Sequence, residues 1–361
     1  MIGIAAVPDS SVPQLVELPH PVEPSLREVV CRTLQLGVCG TDREILASLN
    51  PEVPGGEDYL VLGHECLAEV ETVGADVQEL SAGDLVVPLV RCPLVKSNIR
   101  ADLLSPGQFV ERGILRSHGF STSHWTNHPE YLLRIEPEMA SFAVLAEPTS
   151  ISEKGINESL ALQEARLGKD VWRDQRPRVL VTGLGPIGFT AVVASRGRGW
   201  PVTHFGRDPE DSFRARLTVS LGASYVNQLD EAADLHDVVE EPFDLVLECT
   251  GSEEVMFAAS HVMAPRGIMV WLGSSRRPQP RKQNAALLMR QSLVRNNIFI
   301  GCVNSAPRDF RDAMVHLAQM HQTAPEALAQ LITDRVTLDD ARWHYQNRRP
   351  QGIKTVVVYD E

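Results

Sequence analysis

Two short segments of the sequence supply side chains of the kinds that hold a catalytic metal ion. The first is Cys39-Gly40-Thr41-Asp42, and the second is Gly63-His64-Glu65. A thiolate, an imidazole and a carboxylate are ligand types that bind a catalytic zinc ion and leave one position open for substrate. Cys39, His64 and Glu65 are therefore candidate metal ligands. Lone cysteines and histidines also pack in ordinary cores, and spacing alone leaves that alternative open.

A glycine-rich turn far downstream indicates a second kind of site. Gly183-Leu184-Gly185-Pro186-Ile187-Gly188 follows the apolar run 179–182 and precedes a helical pattern. In a dinucleotide-binding fold, the first glycine permits a tight turn and the second lets the pyrophosphate approach the backbone, while the third lets helix and strand pack closely. Free N–H groups at the helix N-terminus favour the same anion. Residues 183–188 are therefore predicted to bind a dinucleotide.

The residues after the next predicted strand, 202–205, bear on the choice of dinucleotide. A fold that prefers NAD usually places an acidic residue there, which accepts a hydrogen bond from the ribose 2′-hydroxyl. Here Gly206 and Arg207 follow the strand, and Asp208 comes one or two positions late. A guanidinium is suited to a 2′-phosphate. We expect NADP to be favoured, with NAD as the alternative, unless Arg207 is only a solvated loop residue.

The elements that must position these residues differ between the two parts of the chain. Up to about residue 145, short β-branched runs broken by glycine and proline predict a β-rich domain. From residue 178, strands alternate with helices, which predicts a parallel, doubly wound sheet. The predicted strands of this second part are 179–182, 202–205, 244–249, 267–272 and 298–301. The last strand, 354–359, has no helix after it and is expected to rejoin the β-rich domain.

This organisation predicts an α/β protein of two domains, in keeping with its 361 residues. Residues 1–150 and 302–361 would form the catalytic domain, and residues 151–301 the dinucleotide-binding domain. Ligands of open α/β sheets bind at the carboxyl ends of the strands. Thr250, Gly273 and Ser274 follow two predicted strands there, so they are candidates to position a nicotinamide.

Composition argues against several other functions. The formal net charge of −13 disfavours a nucleic-acid partner, because phosphate binding needs clustered positive charge. No apolar run approaches the roughly 20 residues of a membrane span, and the segment 1–7 has no basic flank, so we interpret it as a strand and not a signal peptide. Six scattered cysteines without a CxxC pair favour a reducing, cytoplasmic location.

Segments 38–44 (VCGTDRE) and 62–65 (LGHE), together with the glycine motif, resemble the zinc-containing medium-chain dehydrogenase/reductase superfamily. More narrowly, the chain is similar to the archaeal-type glucose 1-dehydrogenases. Further matches are 109–114 (FVERGI), 145–148 (LAEP), 152–154 (SEK) and 301–304 (GCVN). The resemblance covers essentially the whole chain. It implies a GroES-like catalytic domain, a Rossmann dinucleotide-binding domain and a homodimer or homotetramer.

The resemblance also implies roles for single residues around the metal. Cys39 and His64 would ligate zinc. Glu65 and Glu147 would ligate it directly or through water, depending on the catalytic state. The alternative for Glu147 is a hinge residue in a local salt bridge. Many relatives hold a second, structural zinc with four cysteines, but residues 91–118 contain only Cys92, so one catalytic zinc is expected.

Other residues are implied to contact substrate. Thr41 would hydrogen-bond the reacting hydroxyl and relay its proton, and Glu147 would also face the substrate. Glu111 and Asn304 match positions that contact sugar hydroxyls, and Asn304 is a candidate cofactor contact as well. Val90 stands where some relatives have an asparagine that contacts the sugar, which weakens strict sugar selectivity.

The resulting hypothesis is a zinc-dependent oxidoreductase that transfers hydride from C1 of an aldose, most simply D-glucose, to NADP. The alternatives within this class are zinc dehydrogenases of another sugar, a polyol or a secondary alcohol. A non-catalytic NADP-binding protein and a zinc-free quinone reductase rank lower, because Cys39, His64 and Glu65 are all present.

Overall fold

The computed structural model describes residues 1–21, 23–227, 235, 239, 241–274 and 284–359. They form two compact units. The first comprises Met1–Glu147, Asn304–Met314 and Ile332–Glu361, and the second comprises Pro148–Val303 and Val315–Leu331. The assignment of residues 1–150 with 302–361 to catalysis, and of residues 151–301 to the dinucleotide, stays a prediction.

The first unit is rich in β-strands, as the sequence indicates. Up to residue 135 its strands are β1 (Ile2–Ala6), β2 (Gln14–Glu17), β3 (Val29–Val38), β4 (Leu60–Val61), β5 (Glu65–Val73), β6 (Leu85–Pro88), β7 (Arg91–Pro93), β8 (Phe109–Arg112), β9 (Arg116–Ser117), β10 (His124–Asn127) and β11 (Leu132–Ile135). Small three-stranded sheets, β2-β1-β4 and β7-β8-β9, lie beside a larger one built around β3.

The second unit contains a six-stranded parallel sheet. Its strands are β12 (Val179–Thr182), β13 (Val202–Gly206), β14 (Ser224–Asn227), β15 (Phe243–Glu248), β16 (Met263–Trp271) and β17 (Ile298–Gly301). They are ordered β14-β13-β12-β15-β16-β17. Because β13 and β15 both pair with β12, the strand order reverses at β12, where the glycine-rich turn begins. This is the doubly wound order that binds dinucleotides, and the α/β prediction is confirmed.

The chain then returns to the first unit. Strands β18 (Ile332–Val336) and β19 (Lys354–Val358) complete a seven-stranded sheet ordered β11-β6-β5-β3-β19-β18, in which β10 also pairs with β3. Strand β19 runs antiparallel to β3, with Thr355 opposite Val38. As predicted, the last strand rejoins the β-rich unit, and it brings Lys354 next to the end of β3.

The described α-helices are α1 (Gly40–Ser48), α2 (Ala146–Leu167), α3 (Val171–Asp174), α4 (Pro186–Gly197), α5 (Phe213–Ser220), α6 (Glu253–His261), α7 (Ala285–Arg295), α8 (Pro307–Thr323), α9 (Pro325–Ala329) and α10 (Leu338–Gln346). Short 3₁₀ helices span Ala101–Leu103, Pro129–Tyr131, Pro137–Met139 and Ala143–Leu145. Among these helices, none combines the length and apolarity that a bilayer crossing requires.

Apolar packing fixes the two turns that carry the candidate metal ligands. Val38 and Leu62, which lie one and two residues before Cys39 and His64, are buried in one core cluster with Leu36 and Phe120. Burying each such large apolar side chain contributes about 1.5–3 kcal/mol. The turns are therefore attached to a rigid core, which is what a preorganised site needs.

Candidate active site

The structure brings three predicted metal ligands together. One ligand atom each from Cys39, His64 and Glu65 lies within 4.8 Å of the other two. Cys39 follows β3 directly, and Glu65 is the first residue of β5. Because Gly37 of β3 pairs with Glu65 of β5, the turn after β3 and the turn before β5 lie at the same end of this strand pair. The sheet register therefore assembles the cluster.

A glycine makes room for the carboxylate of this cluster. A β-carbon on Gly37 would lie 2.1 Å from Glu65 Oε2, which is far inside van der Waals contact. The turn before His64 also needs a glycine, because Gly63 has a φ of +88°. The local geometry therefore requires glycine at positions 37 and 63, next to the candidate ligands.

Asp42 supports the cluster from behind, a role that its place in the first candidate segment did not by itself indicate. Its buried carboxylate accepts hydrogen bonds from the Cys39 N–H at 2.8 Å and the Gly63 N–H at 3.4 Å. His64 Nδ1 lies 3.5 Å from Asp42 Oδ1, so Nε2 is the ring nitrogen left for a metal. A carboxylate behind a ligating histidine fixes the orientation of the ring. The sequence clue to this role is the position of Asp42 three residues after Cys39, where an acidic residue commonly caps the start of a helix.

The electrostatics of the cluster favour positive charge. Burial disfavours the charged imidazole, yet Asp42 and Cys39 together raise the pKa of His64 well above its ordinary value. Glu65 and Glu147 add two further carboxyl groups nearby. A site with this surplus of acidic groups suits a divalent cation, so the residues present fit zinc.

Lys354 is a second residue that sequence reasoning missed. Its Nζ lies 2.7 Å from Oε1 and 2.5 Å from Oε2 of Glu65, and both side chains are only 1% exposed. Burial opposes the charge, but the Glu65 carboxylate raises the pKa of Lys354. The sequence clue to this contact was a lysine as the first residue of a strand that ends in three valines. Glu65 is thus shared between Lys354 and the metal cluster, and its direct ligation stays a prediction.

Glu147 lies beside the cluster without being a member of it. It is buried at the start of α2, and burial raises its pKa to about 7, while His64 lowers it and Glu65 raises it. Its role as a metal ligand or substrate contact stays a prediction. Thr41, the second residue of α1, is partly exposed, and its hydroxyl makes no hydrogen bond to the residues that the structure describes. It is therefore available to a substrate hydroxyl.

The two predicted sugar contacts are hydrogen-bonded to each other. Asn304 Nδ2 donates to Glu111 Oε1 at 2.9 Å. The loop that follows Glu111 packs on the metal-site turn, since a β-carbon on Gly113 would lie 2.4 Å from the Gly63 carbonyl oxygen. Glu111 and Asn304 therefore form one polar group in the unit that carries the metal cluster.

The glycine-rich turn has the geometry that a pyrophosphate needs. Gly183 has a φ of +94°, and a β-carbon on Gly188 would lie 1.8 Å from the Gly183 carbonyl oxygen. A β-carbon on Gly185 would have nothing within 4 Å, so this position faces open space at the N-terminus of α4. These three properties match the three glycine roles of a dinucleotide site, and the residues fit the cofactor.

His204 holds this turn in place, a role that the sequence analysis did not foresee. Its Nε2 lies 2.9 Å from the Gly183 carbonyl oxygen, and its Nδ1 lies 2.9 Å from the Thr218 hydroxyl. The carbonyl can only accept, so Nε2–H donates to it, and Nδ1 of the neutral ring is the nitrogen that faces the Thr218 hydroxyl. Complete burial lowers the pKa of His204 to about 4, so the ring is neutral at physiological pH.

The predicted nicotinamide contacts meet at the carboxyl edge of the parallel sheet. Glu248 accepts from the Thr250 N–H at 2.8 Å and from the Thr250 hydroxyl. A β-carbon on Gly273 would lie 2.8 Å from the Gly251 nitrogen, and one on Gly183 would lie 2.8 Å from Thr250 Cγ2. Ser274 lies against the same loop, since it would meet a β-carbon on Gly251. Glu248, which organises this edge, was missed.

The side chains of Arg207 and Asp208, which follow β13, differ in how accessible they are to a bound cofactor. The Arg207 side chain is 62% exposed, and its acidic partner among the described residues is Glu254, 3.8 Å away. Asp208 instead pairs with Arg214 through two bonds of 2.7 Å, to Nε and to Nη2. Bidentate pairs of this kind are strong. The guanidinium of Arg207 is therefore the accessible charge at this position, and the Asp208 carboxylate is occupied.

Two family models match the chain. "Glucose dehydrogenase C-terminus" matches residues 140–359, and "Alcohol dehydrogenase GroES-like domain" matches residues 25–123. The chain is 35% identical to glucose 1-dehydrogenase 1 of Caldivirga maquilingensis over 98% of this chain and 97% of that one. It is 36% identical to glucose 1-dehydrogenase of Thermoproteus tenax, over 92% and 91% of the two chains. The chain belongs to the glucose dehydrogenase family.

A solved structure agrees with this membership. The glucose dehydrogenase of Haloferax mediterranei, in complex with NADP, Zn and gluconolactone, is 28% identical and covers 100% of both chains with a TM-score of 0.86. The expected superfamily resemblance is thereby confirmed, together with the GroES-like and Rossmann parts of the fold. This glucose dehydrogenase family member is an NAD(P)-dependent oxidoreductase.

Proposed function

We propose that the chain is a zinc-dependent glucose 1-dehydrogenase that oxidises C1 of D-glucose to the lactone and prefers NADP. The observation that carries this proposal is the Cys39, His64 and Glu65 cluster. Its support is the family membership and the Haloferax mediterranei protein that was solved with NADP, Zn and gluconolactone. One catalytic zinc is proposed and no structural zinc, because Cys92 alone cannot supply four thiolates.

Cys39 and His64 would hold the zinc, with Asp42 fixing the imidazole and Lys354 fixing Glu65. When bound, zinc supplies Lewis acidity that lowers the pKa of a hydroxyl group. The Thr41 hydroxyl would hydrogen-bond the anomeric hydroxyl and accept its proton, passing its own to water or a carboxylate. Glu147, Glu111 and Asn304 are proposed to bind other hydroxyls of the pyranose, which orients C1 for hydride loss.

The cofactor would be held by the second unit. Residues 183–188 are proposed to bind the pyrophosphate, with His204 keeping the Gly183 turn rigid. Thr250, Gly273 and Ser274 of this unit are proposed to contact the nicotinamide half, which accepts hydride when bound, and Asn304 of the first unit stays a predicted cofactor contact. The accessible Arg207 and the occupied Asp208 favour a 2′-phosphate over a bare 2′-hydroxyl.

A substrate panel tests the proposal. Initial rates are measured with D-glucose, D-galactose, D-xylose, sorbitol and simple secondary alcohols, each with NAD and NADP at fixed zinc. We expect D-glucose with NADP to give the highest kcat/KM and Cys39→Ser to abolish it. Strong turnover of alcohols with none of aldoses would instead favour a zinc alcohol dehydrogenase, and no turnover together with no bound zinc would favour a non-catalytic protein.

We also propose that the chain forms a homodimer or homotetramer. Strand β17 lies at one end of the six-stranded sheet, so its outer edge has no strand partner among the described residues. In the same unit, α7 exposes Met289, Leu293 and Val294. Exposed apolar groups and a free strand edge are typical of an interface. Light scattering should show an oligomer, and Leu293→Glu should weaken it if this face is used.

A cytoplasmic location is proposed on the cysteines. None of the six described cysteines forms a disulfide bond, and Cys31 and Cys66 are buried. Free thiols persist in reducing compartments. Cell fractionation with a tagged chain would test this location.

A further inference from the structure

Arg91 lies opposite Glu111 across the β7-β8 pair. Its Nε and Nη2 both donate to Glu111 Oε1, at 3.0 and 2.8 Å, and its Nη1 donates to the Asp102 carbonyl at 2.9 Å. Its guanidinium carbon lies 3.7 Å from the centre of the Phe109 ring. Only 7% of Arg91 is exposed. Stacking and three hydrogen bonds therefore hold the guanidinium in one orientation.

The contacts of Glu111 are concentrated on one oxygen. Oε1 accepts two hydrogen bonds from Arg91 and one from Asn304. Oε2 accepts none from the residues that the structure describes. The side chain is 12% exposed, and Oε2 does not belong to the buried polar atoms that lack a partner, so a ligand can reach it. Three donors saturate Oε1, which leaves Oε2 as the atom that can accept from a ligand.

Asn304 is itself fixed. Its backbone has a φ of +60°, and its Oδ1 accepts from the Ser305 N–H at 2.8 Å, which directs Nδ2 toward Glu111. Arg91 and Asn304 therefore approach Glu111 from two distant parts of the chain. Neither partner can turn away without breaking other hydrogen bonds.

We propose that Arg91 is a specificity-determining positioning residue, which rests on the proposed function above. It saturates Glu111 Oε1 so that Oε2 is presented, in one orientation, to a hydroxyl donor of the pyranose. A bound substrate without a hydroxyl at that point would cover this carboxylate oxygen without pairing it, and sites built in this way reject such analogues strongly. Arg91 thereby supplies polar selectivity next to Val90, which cannot hydrogen-bond through its side chain.

The test uses glucose and its 2-, 3-, 4- and 6-deoxy analogues with the zinc-loaded protein. In the unmodified protein one analogue should lose most kcat/KM, because it lacks the hydroxyl that binds Oε2. Arg91→Lys keeps the charge but loses the planar fork. We expect it to raise the KM for glucose about 10- to 100-fold and to leave the KM for NADP unchanged. It should also reduce that analogue's penalty, by which we mean the factor by which its kcat/KM falls below that of glucose.

Two further variants complete the design. Arg134→Lys makes the same substitution in an exposed ion pair of the same unit, with Asp84, and should change nothing. Glu111→Gln keeps the shape of the site and should remove the same analogue's penalty even if Arg91→Lys does not fold. If Arg91 and Glu111 formed only a structural ion pair, replacing either of them would leave this penalty unchanged.

Several results would overturn the inference. An unchanged penalty in Arg91→Lys or in Glu111→Gln would do so, as would a loss of melting temperature in Arg91→Lys with unchanged glucose kinetics. Oxidation of glucose by the unmodified protein with no deoxy analogue disfavoured would refute the role of Arg91 and leave the proposed function standing. No oxidation of any aldose would refute both.

Discussion

Replacing Lys354 by methionine should destabilise the first unit strongly. Lys354 and Glu65 are each 1% exposed, and Nζ contacts both carboxylate oxygens. Removing one partner of a buried pair leaves an uncompensated charge, which costs about 3–5 kcal/mol. For a domain of this size, each kcal/mol lowers Tm by about 2–4 °C, so Tm should fall by about 10 °C.

The assay is urea unfolding of the zinc-free protein followed by tryptophan fluorescence, with Lys354→Met, Glu65→Gln and the double variant compared. Zinc-free protein isolates the ion pair from any effect of the metal. Each single variant should lose about 3–5 kcal/mol of unfolding free energy. The double variant should recover part of that loss, because no charge is left unpaired. A loss below about 1 kcal/mol in both single variants, which is the range of exposed pairs, would refute the reasoning.

Three other outcomes are expected. Arg214→Gln should free the Asp208 carboxylate for a ribose hydroxyl and lower the NADP-to-NAD ratio of kcat/KM about 10-fold; Asp208→Asn in the same background should cancel the gain with NAD. His204, whose folded pKa of about 4 lies below its unfolded value, stabilises the protein fully above about pH 6.5 and loses that contribution as pH falls toward 4. The lowered pKa of His204 contributes about 3 kcal/mol to stability above that range. The Tm of the unmodified protein should therefore fall more steeply with decreasing pH than the Tm of His204→Gln, and parallel curves of Tm against pH would refute this. Asp42→Asn should weaken zinc binding about 10- to 100-fold in a chelator competition, because the carboxylate orients His64; unchanged affinity would show that Asp42 only caps α1.

Local patterns in the sequence predicted the parts of the fold that depend on local chemistry. The strand, glycine turn and helix around residues 183–188 are contiguous, so their geometry follows from neighbouring residues. The turns that carry Cys39 and His64 were recognised for the same reason. The short strand β14 and helix α1 were missed, since four and nine residues give weak periodicity.

The residues that hold the sites in place could not be predicted in this way. Lys354 reaches Glu65 across 289 positions of the chain, and only the pairing of β19 with β3 brings them together. His204 supports Gly183 through the register of β12 and β13. Such contacts depend on strand order and register, which a single sequence does not specify. Residue type indicated the chemistry, and tertiary structure decided which partner each residue has.

The central claim is that the Cys39 and His64 cluster holds a zinc ion used to oxidise C1 of glucose. The most direct measurement is product analysis of D-glucose with NADP, before and after zinc removal and after zinc is restored. The proposed function predicts equal amounts of NADPH and gluconolactone with zinc, none after its removal, and recovery on restoration. Undiminished lactone formation by the zinc-free protein, or by Cys39→Ser, would contradict it.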